Sequence, residues 1–352
     1  MRNKYPIFNS IPEFSEHLGM ERFSPEYVKA GEWSRFPRIG RGSRDTACAV
    51  TEFSSGWLFG ANWETGAKAL YTATGRRRLS AEERTALTIK IAQEAREGER
   101  KRVEKLEQAR AMGAAFFASG IASRLMTYDT PNPYLLRKSL GAVDAKLWTC
   151  AAEDASRFMA TWLRRPCYSL TAPDGKPLKG PCLVVPIGKH PNACGIQLID
   201  AEGHKTFLKG SVMKGQCWYA HDESVYQTAR RIAVGEGVAT VLSVNRVYGW
   251  PVVAAMNCGN LEAVSVRVKR DYPSAEIIII SDKDEGGAGQ KHAQEARRAV
   301  GGRITEPIWT AEDEARYPLL REMKVTDFND YLVATQRLTP RLAAVEGKER
   351  DL

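Results

Sequence analysis

Residues 277–280 are four consecutive isoleucines. The stretch that contains them, IIIISDKDEGGAGQ (277–290), sets two aspartates, Asp282 and Asp284, and a glycine-rich loop directly after that run. A short continuous apolar run bounded by turn residues reads as a strand buried on both faces, which is a parallel-sheet position. The flanking sequence repeats the unit. RIAV (231–234) is a short apolar strand that runs into GEG (235–237) and a helical pattern, VATVLSVNRVYG. PVVAAM leads into a second helical pattern, GNLEAVSVRVKRDYP; AEIIIISD leads into a third, GQKHAQEARRAVGG; RITEPIW is a fourth strand. Strands alternating with helices at this spacing predict a parallel sheet with helices on its faces.

In such a sheet the working residues lie at the carboxyl ends of the strands. Glu236 follows the first strand, and Asp282 and Asp284 follow the third. If those two strands are neighbours, three carboxylates converge. Clustered carboxylates repel one another, and burying them without partners is costly. A hard divalent cation resolves this, because Mg²⁺ and Mn²⁺ take oxygen ligands and are commonly shared between carboxylates and substrate phosphate. Gly235 and Gly237 allow close approach around Glu236. Gly286, Gly287 and Gly289 let the loop turn into the next helix, whose N-terminus favours anions.

The other residues divide as follows. Residues 1–75 are rich in aromatics and glycine (GEWSRFPRIGRG, SSGWLFGANWETG) and read as a small β-rich unit. Residues 76–128 read as a charged helical connector that opens on Ser80 and Glu83 in capping-box spacing, with Gly98 as a candidate break. Arg76, Arg77 and Arg78 stand together before that helix as candidates for phosphate contact. Residues 129–227 form a mixed α/β block in which PCLVVPIG and GIQLIDAEGHKTFLKG are strands, with a turn at DAEG. Arg137, Lys138, Lys205 and Lys209 are its candidate phosphate- or template-binding cations, against the plainer alternative of surface charge. With 352 residues and a net charge of +9, the chain is long enough for several cores and basic enough to meet a polyanion, nucleic acid being the commonest. No apolar run approaches the roughly 20 residues that span a bilayer, and the seven cysteines include no CxxC pair. The expectation is a cytoplasmic protein with free thiols, no membrane association and no zinc ribbon.

The pattern Glu236 … Asp282-Lys283-Asp284 with glycines after it resembles a Toprim domain, over roughly 228–310, as found in bacterial-type primases, topoisomerases and some nucleases. SDKDEGGAGQKHAQEA is similar to the primases of plasmids and phages. VTDFNDYL (325–332) resembles the DFND motif that follows Toprim in those primases. NPYLLRKSLGA resembles their HPYL…K motif, with Asn132 where His is usual. VVPI…GIQLIDAEGHKTFLKGSVMKG resembles the segment before Toprim, and FGANWETG is loosely similar to their GDW-x-TG pattern. The chain has neither the cysteine–histidine spacing of the zinc module of replicative primases nor a P-loop.

The resemblance implies an α+β and α/β multidomain chain, with a Toprim-like parallel sheet and flanking helices. A mixed α/β primase-core subdomain and the small β-rich unit precede the sheet, and a helical segment, 311–352, carries DFND after it. It implies a DNA primase that makes short primers on a single-stranded DNA template from nucleoside triphosphates, working with a separate helicase or replication initiator. Glu236, Asp282 and Asp284 would be catalytic by holding Mg²⁺ or Mn²⁺, and Asp327 would support the ligand loop or touch the metal. The alternatives are a Toprim nuclease and a non-catalytic DNA-binding replication accessory protein.

Overall fold

The computed structural model describes residues 5–28, 32–42, 45–54, 56–73, 80–126, 131–283, 286–335 and 341–345. The chain packs as two units, Met1–Arg102 and Val103–Leu352, so the blocks read from the sequence after residue 129 belong to one body.

The first unit contains β1 (Ile7–Phe8), α1 (Ile11–His17), β2 (Ser34–Phe36), β3 (Cys48–Ser54), β4 (Trp57–Asn62) and β5 (Lys68–Thr72). The strands form one sheet in the order β1-β5-β4-β3-β2, with only β1 and β5 parallel. Alternation along β4 separates its side chains: Leu58 joins Phe14 of α1 and its cap residue Leu18, while Trp57 and Phe59 join Leu70 and Leu87. Leu87 lies on α2 (Ala81–Ala118). The capping box at its start is present. Glu83 N–H donates to Ser80 Oγ (3.1 Å), and Ser80 N–H donates to Glu83 Oε2 (2.8 Å). Gly98 does not break this helix. Glycine costs only about 1 kcal/mol relative to alanine in a helix interior, and ion pairs of Glu97 with Arg100 and Lys101 span the position.

The second unit opens with a meander. It comprises β6 (Ser123–Arg124), α3 (Pro133–Arg137), β7 (Trp148–Ala151), α4 (Ala152–Trp162), β8 (Pro181–Ile187), β9 (Gly195–Ile199) and β10 (Lys205–Phe207). Its antiparallel sheet runs β10-β9-β8-β7-β6. Met112 and Phe116 of α2 pack with Met159, Val184 and Leu198 on one face. The DAEG turn between β9 and β10 has the expected mechanism: Asp200 Oδ1 accepts from the N–H groups of Glu202 (3.0 Å) and His204 (2.9 Å).

The second sheet of this unit uses β11 (Trp218–Tyr219), α5 (Glu223–Gln227), β12 (Arg231–Gly235), α6 (Val238–Tyr248), β13 (Val252–Ala254), α7 (Leu261–Asp271), β14 (Glu276–Ile280), α8 (Ala288–Val300) and β15 (Arg303–Ile308). After these come α9 (Ala311–Arg316), α10 (Leu319–Glu322), α11 (Phe328–Thr335) and β16 (Arg341–Val345). The order is β11-β13-β12-β14-β15-β16, parallel in its four central strands and antiparallel at both edges. The isoleucine run explains the two-sided burial. Ile278 and Ile280 pack with α6 and α11 through Val241 and Phe328, and Ile277 and Ile279 pack with α7 and α8 through Val264 and Ala293. The helical segment expected over 311–352 also contributes β16, which pairs antiparallel with the open edge of β15. Among the described residues no helix is long and apolar enough to cross a membrane, and all seven cysteines are free.

Two glycines of α2 make the packing testable. A Cβ at Gly98 would meet nothing within 4 Å, whereas one at Gly113 would collide with the Ala193 carbonyl. Gly98→Ala is expected to stabilise the protein by about 0.5–1 kcal/mol, and Gly113→Ala to destabilise it by more than that amount, as read by urea denaturation. Equal effects of the two substitutions would contradict this packing.

Candidate active site

β12 and β14 are direct neighbours, with Val234 opposite Ile279, so their carboxyl ends lie side by side. Glu236 leaves one end and Asp282 the other. Both line a cavity of about 150 Å³. Its near wall includes Gly237, Val238 and Thr240, the cap and first turn of α6, where unpaired backbone N–H groups favour an anion. The far wall comes from the meander: Gln197 and Ile199 of β9, Lys205 of β10, and Tyr134 and Lys138 at α3.

Two glycines permit this approach. A Cβ at Gly235 would lie 2.9 Å from Val241 Cγ1 and 3.1 Å from Ile280 Cβ, and one at Gly289 would lie 2.8 Å from the Asp282 carbonyl oxygen. Side chains there would push α6 or α8 away from the strand ends. Gly286 has no such neighbour. Gly237 is the cap residue of α6. The strand-end loop is held from both sides: Ser281 N–H donates to Thr305 O (2.9 Å) and Lys283 N–H to Thr326 O (2.7 Å). The lysine between the two aspartates is engaged elsewhere, 3.6 Å from Glu306 and over the Trp309 ring. Met256 N–H donates to the Glu236 carbonyl (2.9 Å), and Met256 itself holds a left-handed φ of 73°, a strained conformation for a side chain of that size.

The DFND motif completes the cavity. Asp327 lines it and starts α11, accepting from Asp330 N–H at Oδ1 (2.7 Å) and from the Thr240 hydroxyl at Oδ2 (2.6 Å). Phe328 is core, and Asn329 is fully buried. The Asn329 amide donates to the Lys138 carbonyl (2.8 Å) and to Ser243 Oγ (3.1 Å), joining α3, α6 and α11. Lys138 Nζ lies 4.0 Å from Asp330. Asn132, which replaces the usual histidine, accepts from Tyr134 N–H (3.0 Å) and so caps α3. Burial, and then the Asp327 charge, push the Tyr134 phenol up to about 12, so it stays a neutral donor at physiological pH.

Glu236, Asp282, Asp327, Lys138 and Lys205 are therefore brought together. Arg137 is exposed and donates to the Glu202 carbonyl, bracing the β9–β10 turn; Lys209 is exposed just past β10. Neither lines the cavity. Asp284, Arg76, Arg77 and Arg78 lie outside the described residues. Among the described residues no three His, Cys, Asp or Glu side chains are grouped for a metal ion. The donors present are carboxylate oxygens beside a glycine cradle and two lysines, which fits a hard divalent cation shared with phosphate. Sequence reasoning missed Tyr134, Gln197 and Thr240. The signals were the tyrosine of NPYL, one polar residue within GIQLI and a hydroxyl in the first turn after GEG.

The Thr240–Asp327 bond is testable by a near-isosteric change. Thr240→Val should lower stability by about 1.5–3 kcal/mol, since the carboxylate loses a donor, while Thr240→Ser should stay close to the parent. Urea midpoints that place both variants with the parent would show that the bond contributes nothing.

Residues 231–337 match the family model described as Toprim domain. The chain is 30% identical over 164 residues to a DNA primase TraC from Escherichia coli, covering 44% of this chain and 16% of the relative. A second Escherichia coli DNA primase TraC is 32% identical over 156 residues, covering 42% and 11%. The chain thus spans less than a fifth of the length of either relative. Among solved structures, the RNA polymerase domain of Mycobacterium tuberculosis primase DnaG aligns with 65% of this chain and 86% of its own, at 14% identity and a TM-score of 0.37. Residues 231–337, from the first strand of the parallel sheet through DFND, are thus similar to a Toprim domain.

Proposed function

We propose that this chain is a primase-like nucleotidyltransferase that builds short primers on single-stranded DNA from nucleoside triphosphates. One observation carries the reading: two carboxylates from neighbouring parallel strand ends share a cavity with two lysines and the N-terminus of α6. Similarity to proteins named DNA primase supports it. Glu236 and Asp282 would hold Mg²⁺ or Mn²⁺, with Asp284 as the third ligand. A divalent cation there supplies charge neutralisation on the triphosphate and the leaving pyrophosphate.

The chain's own residues do the rest. Lys205 and Lys138 bind phosphate oxygens from the meander side, and the first turn of α6 binds them from the other. The primer 3′-hydroxyl attacks the α-phosphorus, the bond to pyrophosphate breaks, and the hydroxyl proton leaves to solvent. Asp327 is a positioning residue: through Thr240 and Asp330 it fixes α6 against α11 and so holds the α6 N-terminus at the cavity. A separate helicase or replication initiator would present the template.

The test is primer synthesis on a panel of single-stranded templates with labelled nucleotides and Mg²⁺ or Mn²⁺. Glu236→Gln and Asp282→Asn should each lower synthesis at least about 100-fold, because each 1.36 kcal/mol lost from the barrier is tenfold. Lys205→Ala should weaken nucleotide use chiefly through KM, with thermal midpoints near the parent. Cleavage of labelled DNA in place of extension would point to a nuclease. DNA binding without turnover would point to an accessory protein. Full synthesis by both acid variants would end the reading.

A further inference from the structure

We propose that Gln197 hydrogen-bonds a sugar hydroxyl of the nucleotide held in this cavity, and so acts as a specificity residue for the sugar. The inference rests on the reading of the cavity as a nucleotide site. All five residues of β9 are buried. Alternation sends Ile196 and Leu198 into the hydrophobic cluster beneath the meander, and turns Gln197 and Ile199 to the cavity. Gln197 is 4% exposed, and its side-chain amide opens onto the cavity rather than being sealed from solvent. The buried carboxylate at the end of the same strand, Asp200, is by contrast turned to the backbone, accepting two N–H groups. The one polar side chain of this otherwise apolar strand therefore puts a neutral donor and acceptor on the cavity wall, where a ligand can take its hydrogen bonds.

The chemistry of the walls says which part of a nucleotide it meets. Phosphate oxygens only accept, and Lys138, Lys205 and the α6 N-terminus supply charged or polarised donors for them. A carboxamide is neutral, donates and accepts, and so matches a hydroxyl, which also does both. The protonated Tyr134 phenol is a second neutral group in the same lining. At about 150 Å³ the cavity is of the size that takes one ring, which suits a sugar ring and leaves the base outside. A site that satisfies its own buried polar group with a substrate hydroxyl discriminates against the analogue that lacks it.

The experiment is equilibrium binding of GTP, 2′-deoxy-GTP and 3′-deoxy-GTP, each with Mg²⁺, to the parent chain and to Gln197→Met. One of the two deoxy analogues should bind the parent roughly tenfold more weakly than GTP, the net effect of one neutral hydrogen bond. Gln197→Met should bind GTP as weakly as the parent binds that analogue, and should lose nothing more when the hydroxyl is removed. Its thermal midpoint should match or exceed the parent's; Gln197→Leu repeats the test if it does not. Equal binding of all three nucleotides by the parent, or an undiminished deoxy penalty in the variant, would overturn the inference. Nucleotide binding with the expected pattern but no primer synthesis would leave Gln197 in this role and remove the primase reading. No nucleotide binding at all would remove both.

Discussion

The parallel pairing of β12 with β14 is the constraint on which the rest of the site depends. It is possible because Ile277–Ile280 can be buried on both faces, two side chains against α6 and α11 and two against α7 and α8. Once the strands are paired in register, their carboxyl ends coincide, and the residues just beyond them, Glu236 and Asp282, face one cavity. The approach of α6 and α8 to those ends depends on Gly235 and Gly289, where a Cβ has no room. The acids are thus set by backbone packing rather than by flexible side chains, which is the preorganisation that charge-based catalysis requires.

The second feature is the way α11 ties the two halves of this unit. Asp327 reaches α6 through Thr240, and Asn329 reaches both α6 and the end of α3. The DFND motif is therefore a fastening between the meander that supplies Lys138 and Lys205 and the sheet that supplies the acids. This accounts for the Toprim match extending to residue 337, beyond the strand–helix repeats. Lys138 is placed twice over, by its carbonyl to Asn329 and by its proximity to Asp330.

Much of this was legible in the sequence, for identifiable reasons. Apolar runs broken by glycine specify strand and helix type, so each element from β12 to β15 was readable. Which strands are neighbours is a tertiary property, and the β12–β14 contact needed the structure. Spacing also does not say where a cation turns. Arg137 is one residue from Lys138 yet braces a turn outside the cavity, and Lys209 stands four residues past Lys205 on exposed backbone. Gln197 was hidden because one polar residue in a five-residue strand looks like ordinary alternation. Gly98 misled because propensity is a weak prior against an ion-paired helix. β16, a short strand in a polar tail, gave no periodicity to read.

On the proposed reading the two strand ends hold one divalent cation. Electron paramagnetic resonance measures it directly, by titrating Mn²⁺ into the full chain and following the loss of the free-ion signal. Saturable binding is expected in the parent, with affinity at least tenfold lower in both Glu236→Gln and Asp282→Asn, and competition by Mg²⁺. Binding of equal strength in the parent and both acid variants would place the cation elsewhere and contradict the account.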